Sequence, residues 1–212
     1  MIIVKKFTFN PVSVNAYLVW DETNQAVLID PACFYPEEEK KLAHFVDDKE
    51  LKIVHLLNTH GHFDHLMGNT FAALKWGLKF RIHSGDQFMY GQARQHAALF
   101  GISMDNPSPD AGLLSEGEII TFGNSALRVI HVPGHSPGSV AFYSEQDKMI
   151  IVGDILFAGS VGRTDLPGGN HNQLITGIKE KLLTLDDEVK VYSGHGDETT
   201  IGWEKRTNPF LQ

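Results

Sequence analysis

The stretch Thr59-His60-Gly61-His62-Phe63-Asp64-His65 decides how the rest of the chain is read. Four good ligands for zinc or iron, His60, His62, Asp64 and His65, fall within six positions, directly after the apolar run KIVHLLNTH (52–60). Gly61 leaves room for the backbone to turn, so both flanking imidazoles can point inward. The plainer alternative is a segment that merely happens to be histidine-rich. With 11 His among 212 residues, four ligand-type side chains packed so closely by chance would be unusual.

Working outward, the same order of apolar strand and then ligand recurs three times. ALRVIHVPGH delivers His135, KMIIVGD delivers Asp154 and VKVYSGH delivers His195. Strand ends are where a rigid scaffold holds a side chain to the tolerance a metal site requires. Taken singly, each is an ordinary turn in which glycine supplies the φ and a polar residue caps it. Their weight is collective. Asp30, at the end of AVLID, is a candidate to orient a ligand histidine through its second nitrogen. His55 and His131 sit within strands and read as packing or supporting groups, His44 as surface, and His171 as a loop residue. Ser136 and Ser139 read as turn residues, and Cys33, in DPACF, as a small buried thiol with no base beside it.

The surrounding pattern is β-rich, helix, β, helices, β-rich, helix, β. IIVKKFTF, NAYLVW and AVLIDP are successive strands. Pro36 followed by EEEKKLAHFVDD predicts a helix with acidic residues in its first turn and Leu42, Phe45 and Val46 on one face. LMGNTFAALKWG predicts a helix ended by Gly77, and KFRIH a short strand. Residues 86–104 read as helical with interruptions at Gly91 and Gly101, and residues 91–112 as a flap over the site. EIITF, ALRVIHV, SVAFYS and KMIIVGD return to strand. A helix from Asn172 to Leu183 and a last strand, VKVYSGH, follow. No long Pro/Gly/Ser linker divides the chain, so residues 1–212 are expected to form one domain.

Composition narrows the function. At 42% hydrophobic and 21% charged residues the chain has the balance of a globular protein. No apolar run approaches the ~20 residues that span a bilayer, and the N-terminal stretch reads as a strand rather than a signal peptide. No membrane role and a cytoplasmic location are therefore expected. A single cysteine excludes an internal disulfide and a cysteine-based zinc site. The formal net charge of −8, without a basic cluster, disfavours nucleic acid. Two bound dications would bring that charge to about −4, which softens the exclusion.

THGHFDH, together with PGHSPGS, VGD and SGHG, resembles the metallo-β-lactamase superfamily, and the motifs span nearly the whole chain in that family's order. The resemblance implies an α+β four-layer αββα sandwich with two divalent metal ions at one edge of its sheets. His60, His62 and His135 would hold the first ion. Asp64, His65 and His195 would hold the second, and Asp154 would bridge the two. Zinc is expected, with iron or manganese as alternatives that mixed imidazole and carboxylate ligands also suit. The two carboxylates, Asp64 and Asp154, are the candidate catalytic residues.

GRTDLPGGN (162–170) and the tail IGWEKRTNPFL (201–211) are similar to the small single-domain type II glyoxalase II, or hydroxyacylglutathione hydrolase-like, proteins. That implies a small-molecule thioester substrate such as S-lactoylglutathione, hydrolysed by a metal-bridging hydroxide. Metal binding makes such a hydroxide available by lowering the pKa of water to about 7. Longer members carry an additional helical region that binds glutathione, and the shorter length here leads to the expectation that this region is lacking. Arg163 and Arg206 are candidate contacts for a substrate carboxylate, with an Arg163–Asp165 pair as the competing reading. Tyr90, Phe100 and Met104 either line the flap or belong to the core.

Two other chemistries use the same frame. A mononuclear iron persulfide dioxygenase would need only His60, His135 and Asp154. A lactonase, or another hydrolase of this fold, would use the same two-metal centre. A purely structural zinc module has four ligands around one ion, and seven candidate ligands argue against it. Oligomeric state is left open by the sequence.

Overall fold

The computed structural model describes residues 1–108 and 110–212. The N-terminal half forms a six-stranded sheet from β1 (Ile3–Phe9), β2 (Val14–Trp20), β3 (Gln25–Ile29), β4 (Lys52–Leu57), β5 (Phe80–His83) and β6 (Gly112–Leu114), in that spatial order. β1 to β3 pair antiparallel through tight turns, and β3 to β6 pair parallel. Parallel neighbours need crossovers. These carry α1 (Pro36–Asp48), then α2 (Phe63–Leu66) and α3 (Asn69–Trp76), then α4 (Gln87–Tyr90) and α5 (Ala93–Leu99).

The second half builds β7 (Ile119–Phe122), β8 (Ser125–His131), β9 (Val140–Ser144) and β10 (Met149–Gly153) as an antiparallel meander. A small hairpin, β11 (Leu156–Phe157) and β12 (Ser160–Val161), leads to α6 (His171–Gly177). Then come β13 (Lys190–Ser193), β14 (Thr199–Thr200) and α7 (Ile201–Thr207). The second sheet runs β14-β13-β10-β9-β8-β7, with β13 parallel to β10 across the α6 crossover.

Alternation along the strands explains the layering. In β2, Ala16 and Leu18 face α1 and α3, while Tyr17 and Val19 face the other sheet; in β3, Leu28 and Val27 divide in the same way. In β10, Met149 and Ile151 join that inter-sheet core, while Ile150 and Val152 pack outward against Leu174, Ile178 and Ile201. Both faces of each sheet are covered, which is why the central strands are apolar throughout. The result is the four-layer αββα sandwich. Phe142, fully buried between the sheets, is a representative keystone, and truncating it to alanine would cost about 3–5 kcal/mol.

The helix expected across LMGNTFAALKWG is interrupted, α2 ending at Leu66 and α3 starting at Asn69. At the break, Gly68 lies so close to the chain that a Cβ there would sit 1.8 Å from the carbonyl oxygen of Pro31, so glycine is the residue that fits. α3 does end at Gly77, in the left-handed region at φ 66°. The segment after β5 is divided as expected, into α4 and α5. The helix expected over 172–183 begins one residue earlier, capped by Asn170, and continues as a wider π-type turn over Ile178–Leu182. The sequence reading did not anticipate α7, whose cap is the Thr200 hydroxyl accepting the Trp203 amide at 3.2 Å. Among the described residues no helix is long and apolar enough to cross a membrane.

The sheets are tied together at one edge. The Val140 amide donates to Thr59 O at 2.9 Å, the Asn15 amide to Gly194 O at 2.7 Å and the Tyr17 hydroxyl to Ser193 O at 2.7 Å. At this edge β4, β10 and β13 end, and the ligand loops begin.

Candidate metal centre

β4 stops at Leu57, and the next turns bring His60, His62, Asp64 and His65 to the sheet edge, the last two on α2. Asp154 follows β10 and His195 follows β13, while His135 lies on the loop between β8 and β9. The seven side chains predicted from the sequence converge. Donor atoms of His60, His62 and His135 lie within 4.8 Å of one another, as do those of Asp64, His65 and His195.

Asp154 stands between the two groups. Its Oδ1 is 3.4 Å from His65 Nε2, and its Oδ2 is 3.5 Å from His195 Nε2 and 3.7 Å from His135 Nε2. Asp64 Oδ2 is 3.4 Å from His195 Nε2. The close fit depends on Gly194, where a Cβ would come within 2.1 Å of Asp154 Oδ1 and 2.8 Å of His65 Cε1.

Four of the five imidazoles are fixed from behind. His135 Nδ1 donates to Arg163 O at 2.8 Å and His195 Nδ1 to Val12 O at 3.2 Å. His65 Nδ1 donates to Asp30 Oδ2 at 3.0 Å. The Thr59 hydroxyl donates to Asp30 Oδ2 at 2.6 Å, so it accepts from His60 Nδ1 at 3.0 Å. These bonds place a proton on each Nδ1, so that wherever the ring is neutral, as burial keeps His60, its Nε2 lone pair faces the centre. The 3.3 Å approach of His60 Nε2 to His135 Nε2 is then two lone pairs side by side rather than a hydrogen bond.

That arrangement fits metal ions. Lone pairs and carboxylates converge, and the buried atoms His65 Nε2 and Asp154 Oδ1 have no hydrogen-bond partner among the described residues. A cation satisfies both, and orphaned buried groups of this kind are otherwise costly. Burial and the neighbouring imidazoles push His60 and His62 down, His62 to about 3, which keeps their lone pairs available. Burial opposes charge on His65 and His195 too, but the adjoining carboxylates outweigh it and hold both above the usual imidazole value. Burial also opposes charge on Asp64 and Asp154, yet the imidazoles around them, His65 foremost, keep both below the ordinary carboxylate range.

A cavity of about 510 Å³ opens over this floor. Its walls are mainly apolar, with Phe63, Leu99, Phe100, Phe157 and Leu166 among them. Phe100 and Leu99 come from the 91–112 segment, so α5 and its end form one wall. Tyr90 instead is buried, its hydroxyl donating to Asn58 Oδ1 at 2.6 Å, and Met104 is partly buried against the small satellite core of Leu66, Ile82, Tyr90 and Ala93.

Arg163 lies at the cavity rim and makes a two-point bond to Asp165, with both contacts at 2.7 Å. Arg206 does not line the cavity; it sits on α7, 3.5 Å from Asp187. His44 and His171 are exposed, and Cys33 is buried, which pushes its thiol pKa up. His55 bonds Thr121 O at 2.9 Å, and His131 stacks on His83 with ring centres 3.9 Å apart.

Asp86 carries no signal in the sequence. It is fully buried beside the ligand loops, and nothing in SGDQF distinguishes it from a turn residue. The backbone carbonyls of Val12 and Arg163 were equally invisible, because any residue supplies one.

An αββα sandwich with converging imidazole and carboxylate donors at its sheet edge is the frame of a metal-dependent hydrolase. The chain belongs to the Metallo-beta-lactamase superfamily, which residues 9–195 match. It is 37% identical over 203 residues to the hydroxyacylglutathione hydrolase GloC of Haemophilus influenzae, covering 93% of this chain and 92% of that one. Among solved structures it is similar to the di-iron-bound form of TTHA1623, at 40% identity and a TM-score of 0.89 over 98% of this chain and 100% of the other. The BLEG-1 B3 metallo-beta-lactamase also has a TM-score of 0.89, at 32% identity over 99% and 100% of the two chains.

Proposed function

We propose that the protein is a binuclear thioester hydrolase of the glyoxalase II type. It would act in the cytoplasm on an S-2-hydroxyacylglutathione such as S-lactoylglutathione, releasing a 2-hydroxy acid and a free thiol. The observation that carries this reading is the position of Asp154, whose two oxygens reach toward donors of both three-residue groups. His60, His62 and His135 would hold one ion and Asp64, His65 and His195 the other, with Asp154 shared. When bound, two such ions lower the pKa of a water and polarise a carbonyl oxygen. Zinc is the proposed metal. Iron is the leading alternative, given the di-iron form of a similar chain, and manganese suits the same donors.

The chain's own residues do the rest. The Nδ1 bonds to Asp30, Thr59 and two carbonyls fix the donors before substrate arrives, so little reorganisation is needed. Phe63, Phe100 and Phe157 exclude water and seat the less polar parts of the thioester against the floor. Arg163 at the rim is the cation nearest a carrier carboxylate, and its bond to Asp165 would be traded for that contact. In the reaction the carbonyl carbon gains an oxygen from water, the C–S bond breaks, and the departing sulfur takes up a proton.

A mononuclear iron persulfide dioxygenase is the second reading, because His60, His135 and Asp154 also lie together. It leaves Asp64, His65 and His195 without a task, and for that reason the hydrolase is preferred. Free-thiol release from S-lactoylglutathione by metal-loaded protein tests the proposal. Rapid release supports it. No release, with oxygen uptake on glutathione persulfide, supports the dioxygenase, and cleavage of a lactone or β-lactam alone would move the chain to another hydrolase of this fold.

A further inference from the structure

Asp86 joins the two loops that carry the first metal group. The Gly61 amide, between His60 and His62, donates to Asp86 Oδ2 at 2.9 Å. From the other loop, the hydroxyl of Ser136, next to His135, donates to the same oxygen at 2.6 Å, and the Gly138 amide donates to Oδ1 at 2.6 Å. The carboxylate is buried, and a Cβ on Gly138 would fall 2.7 Å from Asp86 Cγ, so the loops close tightly on it. Among the described residues the second group has no such link to Asp86: His65 is fixed by Asp30 and His195 by Val12 O.

We infer that Asp86 is a positioning residue for the first metal group, clamping the His60–His62 loop to the His135 loop so that three imidazoles keep one spacing. This rests on the two-metal reading above. A carboxylate suits the task because three donors converge on it and it presents acceptors only. Asparagine in its place turns an N–H toward an N–H or O–H donor whichever way the amide is rotated, which opens one of the two loops.

The test titrates Zn2+ into metal-free protein and resolves the two groups with reference variants. His195→Ala leaves only the first group complete, and His62→Ala only the second. In the His195→Ala background, Asp86→Asn is expected to weaken the remaining ion by about 10–100-fold, the usual effect of losing a group that orients ligands. In the His62→Ala background the same substitution changes affinity by less than about two-fold, because among the described residues Asp86 accepts from Gly61, Ser136 and Gly138 and from neither α2 nor the His195 loop. Equal losses in both backgrounds, as a general disturbance of the fold would give, overturn the inference, and so does no loss in either. Should Asp86→Asn fail to fold, Ser136→Ala removes one donor and decides: a smaller loss confined to the first group supports the clamp, and any other pattern overturns it. A wild-type chain that takes up no ion overturns the metal reading, and the role of Asp86 with it.

Discussion

Asp30 Oδ2 lies 3.0 Å from Nδ1 of His65, and both side chains are fully buried. The same carboxylate accepts the Thr59 amide at 2.8 Å and the Thr59 hydroxyl at 2.6 Å, and through that hydroxyl it reaches His60. One carboxylate thereby sets the ring orientation of a ligand in each metal group. Asp30→Ala is expected to weaken both ions by about 10–100-fold. It also leaves buried donors unpaired, costing about 1–3 kcal/mol in stability. Metal titration and urea unfolding of the same sample check the two effects; full metal affinity would show that the histidines hold their orientation unaided.

Gly194→Ala tests the shared carboxylate. The added methyl would meet Asp154 Oδ1 at 2.1 Å, so the carboxylate must move away from both groups. Both equivalents of metal should be weakened together, in contrast to the single-group effect of Asp86→Asn, with thiol release falling about 100-fold or more. Retention of two tightly bound ions would mean that Asp154 does not bridge.

The two arginines should separate in kinetics. Arg163 is at the cavity rim and Arg206 is on α7 beside Asp187. Arg163→Ala is expected to raise KM for a carboxylate-bearing thioester by roughly 10-fold, the scale of one charged hydrogen bond, with kcat little changed. Arg206→Ala should leave both constants within about two-fold. Steady-state kinetics with S-lactoylglutathione decides, and the reverse pattern would place the carrier site near α7.

Legibility divides along physical lines. The ligands could be read because imidazoles and carboxylates at strand ends are rare enough to register as a pattern, whereas the residue pattern gave only the order of strands and helices, and the αββα layering came with the family resemblance those ligand motifs carry. Asp30 was legible as the end of AVLID. Asp86 was not, since a buried carboxylate that binds backbone amides looks in sequence like any turn aspartate. The close approach that requires glycine at 68 is to Pro31, far away in the chain, and α7 and the β11–β12 hairpin are too short to show a period. Arg206 illustrates the converse: nearness in sequence to the His195 loop did not bring it to the cavity.

Away from the site, Asp21 supplies a stability prediction. Its buried carboxylate accepts the Thr23 amide and hydroxyl, the Asn124 amide and the Ser125 hydroxyl, joining the β2–β3 turn to the β7–β8 turn. Burial raises its pKa, but these donors outweigh that and hold it below the ordinary carboxylate value. A group depressed in the folded state contributes fully above its unfolded pKa, and the contribution is lost as pH falls through the folded one. Asp21→Asn should therefore cost about 1–3 kcal/mol at neutral pH, with the gap to wild type shrinking in acid. Urea unfolding at about pH 7 and about pH 3 measures it; a gap independent of pH would rule out the ionised carboxylate as the source.

The most direct test of the central claim is thiol release from S-lactoylglutathione, followed while Zn2+ is added stepwise to metal-free protein. A two-metal thioester hydrolase predicts a rate that keeps rising until about two equivalents are bound and then levels off. A plateau at one equivalent would contradict the binuclear centre, and no thiol release at any loading would contradict the thioesterase.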